Sequence, residues 1–349
     1  DHNNNFAVAH KRLSILDLSS SGHQPMISSD SNYTLAYNGE IYNHLEIREQ
    51  IEKRSKDPII WKSTSDTETL IESISLFGIE TTLDKINGMF SFVIYDKKEN
   101  NLIFARDRFG EKPLYYGQIG QVLFFSSDLV VLKEYKNINM EVDEKSIYYI
   151  LQYNYISHQL IIFKNIKKLP PSSLLTINLN DFKNNGLDSI RNQKYWSIPK
   201  NYSHEIENYN HLDERLEKLL IKSVKSQTIS DVPVGAFLSG GIDSSLIVSI
   251  LQSQSRMPIN TFTIGFHEKE FNEAKKAGEI SKFLNTNHNE VYFSSKDAQN
   301  LIPDLPKVFS EPFADPSMLP TILISKIARK SVTVALSGDG GDEIFGGYN

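Results

Sequence analysis

The run DVPVGAFLSGGIDSSLIVSILQ, residues 231–252, constrains the fold of this chain more than any other stretch. DVPVGAF is β-prone and mostly apolar, so it predicts a buried strand. Gly240 and Gly241 allow backbone angles that residues with a Cβ resist. Asp243, Ser244 and Ser245 are N-cap and first-turn residue types, and Leu246, Ile247, Ile250 and Leu251 then recur at helical spacing. Strand, tight glycine turn and helix N-terminus aim backbone N–H groups and the positive end of a helix dipole at one point. That geometry suits an anion, most often a phosphate. Any α/β protein also contains tight strand-to-helix turns, so SGG alone does not decide the matter.

The surroundings extend the pattern. From about residue 210 a helix (LDERLEKLLIKSVKSQT) precedes this strand. TFTIGF, NEAKKAGEISKFL, NHNEVYF, a long helical region and SVTVALS follow. Alternating strands and helices predict a parallel sheet covered on both faces, with ligands at the carboxyl ends of the strands. SGGIDSS and SGDGGDE both fall at such ends. Neither GxGxxG nor GxxxxGK[ST] occurs, so the dinucleotide fingerprint and the Walker loop are both excluded. Crowding three acids near a glycine turn is costly unless cations or backbone donors compensate. SGDGGDE is therefore read as a Mg²⁺ and substrate site facing the phosphate loop, with a surface acidic loop as the local alternative.

Residues 1 to about 165 read differently. FAVAHKRLSILDL, YTLAYNGEIYN, FSFVIYDKKENNLIFARD and GQVLFFSSD predict strands, with KKENN and GQIGQ as connections. Amphipathic helices are expected at 44–54 and 66–77, and a further one in EKSIYYILQYNYI. This is an α+β layered pattern. Residues 178–209 are polar and weakly periodic and are expected to be a linker. The expected division is a first domain at 1–177, the linker, and a second domain at 210–349. A length of 349 residues accommodates two domains.

A formal charge of −6 argues against a large nucleic-acid footprint. No apolar run reaches membrane-spanning length and no signal-peptide pattern opens the chain, so the expected location is cytoplasmic, with no membrane partner. The chain contains no cysteine, which excludes disulfides, thiolate metal sites and a Cys nucleophile within it. It opens without Met and closes directly after a glycine-rich motif, so both ends are read as cut.

SGGIDSS after a strand resembles the pyrophosphate loop of the ATP-pyrophosphatase, or adenine-nucleotide α-hydrolase-like, superfamily. Members typically cleave ATP between the α and β phosphates and adenylate a carboxylate or carbonyl. Ser239, Ser244 and Ser245 offer hydroxyl donors, and Asp243 suits Mg²⁺. In AYNGEIYN, Asn38 and Gly39 suit an oxyanion hole and Glu40 a cation, although judged locally NG reads first as a hairpin turn.

Taken in order, HKRLSILDLSSSGHQPM, NGEIYN, SDTETL, INGMFSFVIYD, ARDRFGEKPLYY, SGGIDSS and SGDGGDE resemble the glutamine-hydrolysing asparagine synthetases, which are class II glutamine amidotransferases. The resemblance spans essentially the whole chain. It implies an N-terminal-nucleophile glutaminase fold with αββα layers, followed by an α/β parallel-sheet ATP-pyrophosphatase domain. In that family a Cys at position one attacks the glutamine amide, and ammonia crosses an internal tunnel to an acyl-adenylate. Carried over by motif, Arg12 binds the glutamine α-carboxylate. Asn38 and Gly39 form the oxyanion hole, while Glu40 and Asp66 hold the α-ammonium. Ser239, Gly240, Gly241, Asp243, Ser244 and Ser245 cradle pyrophosphate and Mg²⁺. Ile264 contacts adenine, though plain strand core is compatible with it. Ser337 and Gly338 lie by the nucleotide, and Asp339 and Asp342 take the acidic catalytic and metal positions.

Departures from the family bear on function. Without the Cys, the chain as given is expected not to hydrolyse glutamine. A phosphate-contacting Lys and more of the acceptor pocket are expected beyond residue 349. Asp339 stands where the family more often has Glu. SEPFADPSMLPTILISKIAR resembles relatives found with surface-polysaccharide genes, so Glu311, Asp315 and Ser317 are expected either to line the acceptor pocket or to form an ordered loop and helix cap. The expected ligands are ATP, Mg²⁺, glutamine and aspartate, with a homodimer as the assembly. Alternatives are the same chemistry on a uronic-acid-type sugar carboxylate, a non-catalytic scaffold, and β-lactam synthetase-like chemistry.

Overall fold

The computed structural model describes residues 6–55, 58–135, 138, 140–157, 160–199, 211–268 and 272–347. The chain divides into two compact units. One takes Asp1–Tyr202 and Pro306–Ala314, the other Ser203–Leu305 and Asp315–Asn349.

The first unit contains β1 (Met26–Ile27), β2 (Tyr33–Ile41), β3 (Gly88–Asp96), β4 (Asn101–Arg106), β5 (Tyr115–Ile119), β6 (Val122–Ser126), β7 (Ile166–Lys168), β8 (Ser173–Asn178) and β9 (Arg191–Lys194). A six-stranded antiparallel sheet runs β1-β2-β3-β4-β8-β9, and a three-stranded one runs β6-β5-β7. The helices His44–Arg54 and Asp66–Phe77 lie where their sequence periodicity predicts them. Their Ile47, Ile51, Leu70, Ile71 and Ile74 pack on Leu35, Phe90, Phe92 and Ile94 of the large sheet. On the sheet's other face Val93, Phe104 and Leu175 meet Leu114, Tyr116 and Leu169. Behind the small sheet, Tyr115 and Ile166 meet Leu129, Leu132 and Ile161. The result is the expected αββα layering. Phe90, Phe92 and Phe104 are fully buried in it, each worth roughly 1.5–3 kcal/mol.

Three expectations change here. FAVAHKRLSILDL forms no strand. Asp17 turns the chain with φ 56°, and Leu13 and Leu18 are exposed, so the apolar alternation has no sheet to face. The expected linker 178–209 is ordered through its first half. Asn178 caps the helix Leu179–Asn185, and β9 pairs with β8. The polar run RNQK reflects an edge strand with all four residues exposed. Residues 200–209 lie outside the described residues. NG in AYNGEIYN is not a hairpin turn, because both residues sit inside the nine-residue β2.

The second unit contains β10 (Val234–Phe237), β11 (Asn260–Phe266), β12 (Asn287–Phe293) and β13 (Val334–Leu336). They form a parallel sheet in the order β12-β11-β10-β13. Val224, Val248, Leu251 and Ala277, from three helices, cover one face against Ala236 and Leu238. Ile324, Ile327, Ala328 and Val332 cover the other against Phe237 and Phe262. Among the described residues, no helix is long and apolar enough to cross a membrane.

Candidate functional site

In the first unit a cavity of about 1090 Å³ is lined by Arg12, Asn38, Gly39, Glu40 and Asp66, the five residues singled out there from the sequence. Alternation along β2 sends the side chains of Asn38 and Glu40 to one face of the sheet and that of Tyr37 to the other. A Cβ at Gly39 would collide with Met89 O and lie 2.7 Å from Phe90 Cα, so only glycine permits this approach of β2 to β3. Arg12 donates from Nη2 to Leu16 O at 2.5 Å and from Nη1 to Ser19 O at 3.3 Å. These bonds fix its guanidinium at the cavity wall.

The register of β2 defines an open edge. Gly39 lies opposite Phe90. Phe90 turns both its polar groups the other way: its N–H donates to Asp107 Oδ2 at 3.2 Å, and its carbonyl accepts from Asp107 N at 2.8 Å. Gly39 and Phe90 are therefore a non-hydrogen-bonded pair, and the Gly39 N–H points away from β3. Tyr37 and Ile41, two residues to either side, have N–H groups on that same edge. Side chains satisfy both: Tyr37 N donates to Gln24 Oε1 at 2.7 Å, and Ile41 N donates to Asp66 Oδ2 at 2.9 Å. Among the described residues the Gly39 N–H between them has no side-chain acceptor and borders the cavity. Gln24 and Tyr37 also line this cavity. The sequence reading missed both, and the signals were their positions in SGHQPM and immediately before NGE.

Two buried carboxylates converge on the same end. Burial, then the charge of Asp66, pushes Glu40 up to about 7, with Lys112 pulling the other way. Burial raises Asp66 as well, against hydrogen bonds from Tyr37 Oη at 2.7 Å and from backbone N–H groups. Both carboxyls are thus held toward their neutral forms, and a cation between them would favour the ionised forms.

In the second unit the glycine turn is as expected. Gly240 has φ +84°, and Gly241 is the N-cap of the helix Ile242–Gln254. Asp243, Ser244 and Ser245 occupy its first turn. The serines brace the loop: Ser239 Oγ and Ser244 Oγ are 2.9 Å apart, Gly241 N donates to Ser239 Oγ at 3.2 Å, and Ser245 Oγ donates to Gly241 O at 2.5 Å. Because β10 and β13 are parallel neighbours, the acidic loop leaves the sheet beside this turn. A Cβ at Gly338 would lie 2.8 Å from Ser244 N, and one at Gly341 2.5 Å from Asp243 Cγ. The two loops thus touch through glycines. Desolvation, the charge of Asp243 with a hydrogen bond to it, and Glu343 all push the Asp342 carboxyl up. Ser337 Oγ donates to the exposed Asp339 at 2.9 Å. Ile264 is half-buried in β11, two residues past the Phe237–Phe262 pair and so level with Ser239. Among the described residues, no cluster of three or more His, Asp or Glu side chains could by itself hold a metal.

Glu311 falls in the first unit, and Asp315 and Ser317 in the second. The segment Pro306–Ala314 belongs to the first unit. There Glu311 accepts from Tyr115 Oη at 3.2 Å and Ile162 N at 3.1 Å and pairs with Lys168. Asp315 Oδ1 accepts from Ser317 N at 2.8 Å, and Ser317 is the N-cap of the helix Met318–Ala328. These two form an ordered loop and a helix start, with no side-chain cap from Ser317.

A cavity with two buried carboxyls in one unit and a glycine loop at a helix N-terminus in the other suit an amidotransferase domain joined to an ATP-utilising domain. Comparison with known proteins agrees. Residues 2–196 match the glutamine amidotransferase domain family and residues 215–349 the asparagine synthase family. A Methanocaldococcus jannaschii protein is 37% identical over 99% of this chain and 67% of its own length. Asparagine synthetase [glutamine-hydrolyzing] 1 of Bacillus subtilis is 34% identical over 100% of this chain and 52% of its own. The enzyme of that name from Sandersonia aurantiaca is 28% identical over 100% of this chain and 60% of its own. The chain belongs to the glutamine-hydrolysing asparagine synthetase family, and it spans about half to two thirds of these relatives' length.

Proposed function

We propose that the protein makes asparagine from aspartate, glutamine, ATP and water, releasing glutamate, AMP and pyrophosphate. The observation that carries this reading is the pairing in one chain of an open-edged strand beside two buried carboxylates with a glycine loop braced beside an acidic loop. In the first unit Arg12 takes the glutamine α-carboxylate, and Glu40 and Asp66 take the α-ammonium. The Gly39 N–H and the Asn38 side-chain amide receive the oxyanion as a nucleophile attacks the amide carbon. Since no cysteine occurs in these 349 residues, they supply the binding and oxyanion parts of that step.

In the second unit the N–H groups of the turn and the Ser239, Ser244 and Ser245 hydroxyls hold the phosphates, with Ser337, Gly338 and Ile264 around the nucleotide. An aspartate carboxylate oxygen attacks the α-phosphorus, the bond to the β-phosphate breaks, and pyrophosphate leaves. Channelled ammonia then attacks the acyl carbon of the aspartyl-adenylate, AMP leaves, and Asp339 accepts the proton. Asp243 and Asp342, two hard oxygen donors brought together beside the glycine loop, would hold Mg²⁺. When bound, the ion neutralises phosphate charge.

The test uses the full-length protein with ATP, Mg²⁺ and ammonia, with and without aspartate, scoring AMP and pyrophosphate. Aspartate-dependent AMP with equimolar asparagine is expected. No aspartate-dependent AMP from a folded, ATP-binding protein overturns aspartate as acceptor and turns the search to uronic-acid-type carboxylates.

A further inference from the structure

Asp66 reaches the amide-binding cavity from the first turn of a helix, not from β2, so something must fix its carboxylate relative to Glu40. Two contacts do this. Tyr37 Oη donates to Asp66 Oδ2 at 2.7 Å, and Ile41 N donates to the same oxygen at 2.9 Å. Tyr37 is itself held. Its side chain is 3% exposed, and its N–H donates to Gln24 Oε1 at 2.7 Å. Gln24 in turn reaches Thr67, the residue after Asp66, with Nε2 3.4 Å from Oγ1. Gln24, Tyr37 and Asp66 therefore close a ring of contacts around the open edge of β2. None of these bonds is local, since the partners lie 13 to 43 residues apart in sequence.

We propose that Tyr37, seated by Gln24, is the positioning residue that makes this cavity select an amide donor carrying an α-ammonium group. The inference rests on the reading of Glu40 and Asp66 as the ammonium partners. Tyr37 Oη donates to a carboxylate, and a hydrogen bond to a charged group is worth more than one between neutral groups. Without it Asp66 keeps only backbone donors, so its carboxylate is both less fixed and harder to ionise. Glu40 on β2, Tyr42 just after it and Arg48 on the helix His44–Arg54 are the other titratable groups facing Tyr37 and Asp66, and Lys112 on the loop before β5 faces Glu40.

The experiment compares full-length wild-type protein with Tyr37→Phe. Glutamate release is measured on glutamine and on glutaramate, the same amide without its α-amino group. Tyr37→Phe is expected to raise the KM for glutamine about tenfold near pH 7 and to leave the KM for glutaramate within about twofold. The rise of 1/KM with pH for glutamine should also shift to higher pH, because the lost donor favours protonated Asp66. An equal loss on both amides, or an unmoved pH profile, overturns the proposal and leaves Tyr37 as packing. A wild-type enzyme that does not prefer glutamine to glutaramate refutes the ammonium reading itself, which is a different result. Gln24→Met gives a second variant should Tyr37→Phe unfold. It frees the Tyr37 N–H and should lower the preference for glutamine in the same direction, and an unchanged preference overturns the proposal.

Discussion

The two units build their sites by opposite means. In the first, the groups at the cavity are buried and held from far away in sequence: Asp66 by Tyr37 and Ile41, and the β2 edge by Gln24. In the second, the serines of the glycine loop brace one another within five residues, and the acidic loop meets them only because β10 and β13 are neighbours. The first design fixes charges in a low-dielectric setting and shifts their ionisation. The second keeps donors near solvent, where a large, highly charged ligand and its ion can enter and leave. On the proposed reading, a cavity for a small zwitterion needs the former, and a phosphate loop the latter.

The sharpest test of that contrast is Asp243→Ala in the full-length protein. It removes the carboxylate shared between the two loops of the second unit. ATP- and aspartate-dependent AMP formation should fall by about a hundredfold or more, with glutaminase activity retained. Equal loss of both activities would break the comparison. Gly39→Ala probes the other side. Its Cβ would collide with Met89 O, so β2 and β3 must separate. Thermal unfolding should show about 2–3 kcal/mol lost, accompanied by loss of glutamine-driven but not ammonia-driven synthesis. A variant of unchanged stability would mean that the strands are not this close.

The same contrast explains what could be read from the sequence. The helices 44–54 and 66–77, the β3–β4 hairpin and the turn at Gly240 are local signals, and the structure has them. Five residues at the cavity came from motif order, which encodes long-range assembly without revealing its cause. Gln24 and Tyr37 stayed hidden because their partners are set by tertiary pairing. RNQK looked like linker because an exposed edge strand and a linker share a polar composition. FAVAHKRLSILDL looked like a strand because alternation does not reveal whether a partner strand exists.

A smaller effect concerns pH. Glu40 ionises at about 7 in the folded protein, above its ordinary value of 4.5. Because the folded state favours its protonated form, the stability this contributes is fully present below about pH 4.5 and is lost as pH rises to about 7. Asp66, Tyr37, Tyr42 and Lys112 are the groups that face it. A bound ammonium reverses the preference. Glutamine affinity should therefore climb with pH, by up to about tenfold per unit, and level off above about 7. Calorimetry in buffers of different ionisation enthalpy should show a proton released on binding near pH 6. Glu40→Gln should flatten the profile, and an unflattened one would remove Glu40 from the ammonium site.

The smallest expected effect tests where one unit ends and the other begins. Glu311 lies within the stretch that matches the asparagine synthase family, yet its segment belongs to the first unit. Its side chain is 13% exposed, and its charge is met by Lys168, Tyr115 and Ile162 N. Tyr115 is pushed up by burial and by this carboxylate, so the pair is a tie of the first unit's kind: buried, charged and distant in sequence. Glu311→Gln keeps the shape and removes the charge, leaving Lys168 without its partner. About 1–2 kcal/mol should be lost, less than for a fully buried pair because both side chains retain some solvent. Hydrogen exchange should locate the loss at β5 and β7, with β10 to β13 unchanged. Loosening at β10 to β13 instead would return the segment to the ATP-binding unit, and the contrast between the two designs would no longer follow the division of the chain.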